Sequence, residues 1–203
     1  MKIMVTTKEK VVYLVRHAEA THNIKEEEAV QQAVLAGADK AAQERARKAV
    51  LQDESLKDAP LSGAGREQAA RGGNHLTLLH KVGSRRYPAP QLVLVSPLRR
   101  ALMTATELFL APCDDDDDLQ PQFVAMEALR EKRTGFAADE RSSVAVLEQE
   151  FPHVDFSDLR VQQRVEIPKG EDNVAVRARG RAFLTGPFAA IQEESVALVT
   201  HKG

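Results

Sequence analysis

VVYLVRHAEATHN, residues 11–23, decides how the rest of the chain is read. Val11–Val15 is an unbroken apolar run rich in β-branched side chains, the pattern of a strand buried on both faces of a parallel sheet. It ends abruptly in Arg16-His17, and Glu19, Thr21, His22 and Asn23 follow. The same arrangement recurs along the chain. "QLVLV", residues 91–95, runs into Ser96 with Arg99 and Arg100 just beyond, and "VALVT", residues 196–200, runs into His201. A further candidate strand, 123–126, is followed within a few residues by Glu131.

Helical segments alternate with these strands. Residues 26–54 are rich in Ala, Gln, Glu, Lys and Arg with a thin apolar stripe, which predicts a surface helix or helical pair interrupted near Gly37. Ser62 is placed to cap a helix over 63–81, although Gly72 and Gly73 speak against it. Ser96-Pro97 opens a helix to about Leu110, with Ser96 as cap and Pro97 at the first helical position. Shorter helices are expected over 142–151 and 172–192, the latter ended or kinked by Pro187. Residues 127–141 read as a charged loop, and "FPHVDF", 151–156, as a buried turn. The alternation predicts a single α/β domain over 1–203, a three-layer sandwich whose mostly parallel central sheet is flanked by helices.

The composition narrows the function. The 203 residues carry a formal net charge of −2, and no basic stripe alternates with aromatics, so neither nucleic acid nor a membrane surface is an expected partner. A single cysteine, Cys113, allows no disulfide framework and no Cys-based metal site. The acidic run Asp114–Asp118 lacks the alternating ligands and turn glycine of a calcium loop and is read as solvated. No cofactor and no metal is expected. The first ten residues lack the apolar core of a signal peptide, and no apolar run approaches membrane-spanning length, which makes a soluble cytoplasmic protein the expectation.

In open parallel sheets, ligands bind beyond the carboxyl ends of the strands. If these strand ends are neighbours, two histidines, two or more arginines and a glutamate converge in one cleft. Such a cleft suits an anion, because the arginine fork matches phosphate oxygens in bidentate fashion. A neutral imidazole is a competent nucleophile near neutral pH, and flanking positive charge keeps it unprotonated.

These residues carry a resemblance. "RHAEATHN" is similar to the R-H-G…E…N signature of the histidine phosphatase superfamily, the phosphoglycerate-mutase-like enzymes. "LSGAGREQA" resembles that family's L-T-x-x-G-x-x-Q-A helix, "SPLRRALMTA" its S-x-L-x-R-A-x-x-T-A helix start, "LREKRTG" its L-x-E-x-x-x-G loop and "VTHKG" its T/S-H-x-G strand end. The five blocks occur in the family's order. The wording of "RHAEATHN" and of residues 131–159 resembles a eukaryotic phosphatase-like branch in which the signature glycine is alanine, here Ala18.

The resemblance implies roles. His17 is the expected nucleophile. Arg16, Arg100 and a protonated His201 are expected to clamp the phosphoryl oxygens, with Asn23 lining the pocket less directly. Glu131 is the expected acid to the leaving oxygen. His22, His75, His80 and His153 are read as structural. The implied activity is that of a metal-independent phosphomonoesterase on a small phosphorylated metabolite. The alternatives are phosphoglycerate-mutase-type phosphoryl transfer and a catalytically weak binding or regulatory protein with the same fold. In the family a helix and further strand structure follow the second histidine. The chain, ending at Gly203, is therefore expected to be C-terminally truncated and to lack the family's last elements. Substrate and oligomeric state are left open.

Overall fold

The computed structural model describes residues 10–81, 87–110, 120–162 and 170–202. Cys113, the Asp114–Asp118 run and the first nine residues lie outside them. In chain order the elements are β1 (Val11–Arg16), α1 (Thr21–Leu35), α2 (Lys40–Leu51), α3 (Gly63–Lys81), β2 (Leu92–Val95), α4 (Arg99–Phe109), β3 (Gln122–Ala125), α5 (Val144–Glu150), β4 (Val154–Asp155), α6 (Ser157–Gln162), α7 (Asn173–Thr185) and β5 (Ser195–Thr200). The strands form one sheet in the order β1-β5-β2-β3-β4, and every pairing is parallel.

Side-chain alternation along the strands divides the interior into two layers. Val93, Val95, Phe123, Ala125, Ala197 and Val199 pack with residues of α4, α5 and α6 on one face. Leu92, Leu94, Val196 and Leu198 pack with Phe183 of α7 and with Phe188 and Ile191 on the other. Helices therefore cover both faces of a parallel sheet, the expected α/β class.

Several local expectations are corrected. β1 is not buried on both faces: it is an edge strand, and Val12 and Leu14 are 42% and 75% exposed on the face that α7 leaves uncovered. "FPHVDF" contains a two-residue strand, β4, rather than only a turn. The 26–54 pair starts earlier, at Thr21, so His22 and Asn23 lie in the first turn of α1, and the break falls at Gly37 as expected. The helix expected over 172–192 ends at Thr185, before Gly186-Pro187.

The helix after β2 begins at Arg99, two residues later than expected, and Ser96 is not its cap. Asp58 takes that part. Its carboxylate accepts from the Arg99 N–H (2.9 Å) and the Ser142 N–H (2.7 Å), which joins the start of α4 to the 137–142 loop. Asp58 is fully buried, and among the described residues it is the one non-glycine with positive φ, 48°. Ala18 therefore sits on ordinary backbone, and the signature alanine is accommodated without strain.

Two glycines are explained by close approach. A Cβ at Gly73 would lie 2.4 Å from the Glu107 carbonyl oxygen, so α3 stays helical through Gly72-Gly73 and uses the gap to pack against α4. At Gly65 a Cβ would lie 2.0 Å from the Glu19 carbonyl oxygen. Gly65→Ala should therefore destabilise the fold by about 3 kcal/mol or more, since backbone has little room to yield. Gly63, whose Cβ would meet nothing within 4 Å, is the control. Gly63→Ala should be neutral or slightly stabilising in thermal unfolding, with Gly65→Ala melting well below it.

Candidate active site

The sheet order places the carboxyl end of β5 between those of β1 and β2. Arg16 is in register with Thr200, and Val199 with Val95. The His17 N–H extends the ladder to the Thr200 carbonyl (3.0 Å), and the Ser96 N–H to the Val199 carbonyl (2.9 Å). His17, Ser96 and His201 are thereby brought side by side. The His17 and His201 rings stand 4.9 Å apart, centroid to centroid, tilted by 57°.

His17 is buried, and its Nδ1 lies 2.7 Å from the Ala18 carbonyl oxygen. A carbonyl only accepts, so Nδ1 carries the proton and Nε2 keeps its lone pair. Burial, then the charge of Arg100 and to a smaller degree Arg16, lower the pKa of His17 to about 4 against the pull of the Ala18 hydrogen bond. The imidazole is neutral at physiological pH.

His201 differs from the expectation of a protonated clamp. Its side chain is buried, and burial first, then Arg100 and His17, push its pKa well below the ordinary value. Its Nε2 lies 2.7 Å from Ser96 Oγ. With the Ser96 hydroxyl donating there, Nδ1 bears the hydrogen and faces Glu131 Oε2 at 3.8 Å, and it has no hydrogen-bond partner.

Arg100 is 1% exposed. It donates to the Ala138 carbonyl (2.9 Å) and to Asp139 Oδ1 (3.2 Å), while its buried Nε has no partner. Arg16 is exposed at the rim and reaches His17 and Glu131 through its charge. Glu131 lies in the loop after β3, with Oε1 accepting from the Lys132 N–H (2.9 Å). Burial raises its pKa, and Asp139 adds to the rise, against the Lys132 hydrogen bond and the charges of Arg100 and Arg16.

Asn23 has a local part. Its Oδ1 accepts from the Ala20 N–H (3.1 Å) and closes the start of α1, and its Nδ2 lies 3.1 Å from His22 Nε2. His22 was expected to be structural, yet burial, Arg100 and His17 bring its pKa to about 3, which places it in the field of the cluster. His153 is structural: it bonds Thr106 (3.0 Å) and stands edge-on to Phe123. Arg99 turns away to Glu150 (2.7 Å).

Supporting residues passed over in the sequence complete the site. Thr104 Oγ1 accepts from the Ala18 N–H (3.0 Å) and donates to the Arg100 carbonyl (2.7 Å), joining nucleophile loop to clamp helix. Ser62 Oγ donates to Glu19 Oε1 (2.5 Å), and Gln68 Oε1 accepts from the Glu19 N–H (3.2 Å), so α3 grips the turn after His17. Thr200 Oγ1 donates to the Leu129 carbonyl (2.8 Å), tying β5 to the Glu131 loop. The 127–141 loop is not simply a solvated one. Glu127, Arg130 and Asp139 are buried, and Glu127 pairs with Arg130 (2.9 Å) and Arg141 (3.3 Å). Thr104, Ser62, Gln68 and Thr200 sit inside the sequence blocks that carry the resemblance, and Asp139 sits inside the 131–159 stretch without being singled out there.

Among the described residues, no group of three or more His, Cys, Asp or Glu could hold a metal ion, and no helix is long and apolar enough to cross a membrane.

Comparison with known proteins places the fold. A curated phosphoglycerate mutase-like protein of Arabidopsis thaliana is 28% identical over 96% of this chain and 71% of its own length. The ecdysone phosphate phosphatase of Bombix mori, solved in complex with tungstate, superposes with a TM-score of 0.56 at 15% identity over 95% of this chain and 73% of that one. A putative alpha-ribazole-5'-P phosphatase of Escherichia coli gives a TM-score of 0.50 at 23% identity over 94% and 73% of the two chains. These structural likenesses bear on the fold. The family description that matches residues 12–203 is that of the histidine phosphatase superfamily (branch 1), and the chain belongs to that superfamily.

Proposed function

We propose that the chain is a metal-independent phosphomonoesterase that acts on a small phosphorylated metabolite through a phosphohistidine at His17. The observation that carries the reading is a nucleophile kept neutral by burial beside two buried nitrogens without hydrogen-bond partners, His201 Nδ1 and Arg100 Nε. Buried polar groups are ordinarily paired, so donors left open beside a nucleophile suit an oxyanion. Phosphatases among the structural neighbours, one of them with tungstate bound, agree with it.

In the first step His17 Nε2 attacks phosphorus, the N–P bond forms and the bond to the leaving oxygen breaks. Arg16 and Arg100 neutralise charge on the transferring group, and the His201 Nδ1–H donates to one of its oxygens. Neither arginine-based neutralisation nor imidazole attack needs a metal. Glu131, with its pKa raised by burial, gives its proton to the leaving oxygen. In the second step water attacks the phosphoramidate, Glu131 takes the water's proton, and phosphate leaves with His17 restored. Burial, more than neighbouring charge, keeps the nucleophile unprotonated. Asn23 shapes the pocket wall through the start of α1. The expected partner is the substrate alone, with no nucleic acid and no membrane.

His17→Ala should abolish turnover and phosphoenzyme labelling while circular dichroism stays that of the parent. Turnover within about tenfold of the parent would remove His17 from the nucleophile role. Hydrolysis of p-nitrophenyl phosphate should survive EDTA, and vanadate should inhibit it competitively as an oxyanion on the Arg100 clamp. Transfer between 3-phosphoglycerate and added bisphosphoglycerate, at a rate above hydrolysis, would instead identify a mutase.

Glu131→Gln should lower hydrolysis of an alkyl phosphate by roughly 10²-fold or more, because an alkoxide leaves poorly without a proton. It should affect p-nitrophenyl phosphate much less. Equal losses on both substrates would assign Glu131 to loop support.

A further inference from the structure

From Arg130 to Phe136 the chain around Glu131 is neither helix nor strand. A side chain on such a segment is ordinarily a poor candidate for accurate placement. Here both flanks of Glu131 are held by one ion pair. Arg179 of α7 donates from Nη1 to the Ala128 carbonyl (2.8 Å) and the Arg130 carbonyl (2.9 Å). The same guanidinium forks onto Glu171, Nε to Oε1 at 2.9 Å and Nη2 to Oε2 at 2.8 Å. Glu171 then reaches the other flank: its Oε2 accepts from the Arg133 N–H (3.0 Å), and its own N–H donates to the Arg133 carbonyl (2.7 Å).

The carbonyl immediately before Glu131 and the amide two residues after it are thus fixed to one planar, bidentate pair. Lysine could not reproduce this, since it lacks the fork. The pair is mostly withdrawn from solvent, with side chains 21% and 12% exposed. Its base is firm, because Phe183, one helical turn beyond Arg179, is buried in the core layer on the α7 face of the sheet.

We infer that Arg179, acting through Glu171, is a positioning residue for the Glu131 carboxyl, holding the loop so that the acid meets the leaving oxygen. The hydrogen bonds of Arg179 go to Glu171, Ala128 and Arg130 and not to His17, so its effect should follow the need for an acid. The inference rests on the reading of Glu131 as that acid.

The test compares Arg179→Met, Arg179→Lys, Glu171→Gln, Glu131→Gln and the Arg179→Met/Glu131→Gln double variant on glycerol phosphate and on p-nitrophenyl phosphate. Arg179→Met should lower kcat on glycerol phosphate by roughly 10- to 100-fold and change p-nitrophenyl phosphate turnover by no more than about threefold. Inhibition by vanadate should be unchanged, which also shows that the phosphate pocket is intact. Glu171→Gln should shift both rates the same way by less, Arg179→Lys should rescue only in part, and the double variant should be no slower on glycerol phosphate than Glu131→Gln alone. Equal loss on both substrates, full rescue by lysine, or a further loss in the Glu131→Gln background would overturn the inference while leaving the acid in place. If Glu131→Gln itself shows no dependence on leaving group, the reading of the acid fails and the positioning role fails with it. Should Arg179→Met not fold, Glu171→Gln and Arg179→Lys decide by the same criteria.

Discussion

The Arg100 guanidinium is taken out of water at the carboxyl end of the sheet, where one backbone carbonyl and the Asp139 carboxylate are its direct partners. A buried cation is costly unless it is paired and hydrogen-bonded. Much of the architecture around it meets that requirement. Asp139 is fixed in turn by Thr134, the 137–142 loop that carries Asp139 is fastened through Asp58 to the start of α4, and Thr104 holds the Arg100 backbone to the turn after His17. The same positive charge lowers the pKa values of His17, His22 and His201, in each case second only to burial. Three imidazoles whose pKa values are lowered thus stand around one buried cation, and that is the physical content of the site.

Much of this was legible in the sequence because the informative residues act on backbone. Each strand end that broke from apolar to polar proved to lie at the same edge of the sheet, as parallel topology requires. The blocks around them have a physical meaning letter by letter: Ser96 bonds His201, Leu98 is core, Arg100 is the buried cation, Thr104 ties α4 to the turn after His17, and Gly65 admits the Glu19 carbonyl. A local pattern suffices where a residue's partner is fixed by strand register or by a helix start.

Legibility failed where partners come from distant sequence. Asp58, in the turn-like stretch before Ser62, bonds a helix start 41 residues on and a loop 84 residues on. The charged run 127–141 reads only as a loop in sequence, and it is the fold that shows the buried Glu127 pairing with both Arg130 and Arg141. β1 was misjudged for another reason: an apolar run shows that a strand is hydrophobic, but not whether a helix covers both of its faces. The protonation state of His201 was equally out of reach. The charge on His201 depends on burial, which spacing does not encode.

The position of β5 has a consequence for how the molecule forms. It follows the other described strands in sequence, yet it lies between β1 and β2, pairing Val11 with Ser195 and Leu92 with Val196. Before it inserts, the edges of β1 and β2 that will flank it are unpaired, and unpaired edges are templates for intermolecular association. Closing these pairings joins ends separated by almost the whole chain, the kind of contact that slows folding. Emergence from the ribosome adds its own delay, because β5 is synthesised after the two strands that it joins. His201 arrives with that strand. The meeting of His17 with His201 and the closure of the sheet between β1 and β2 are therefore one event.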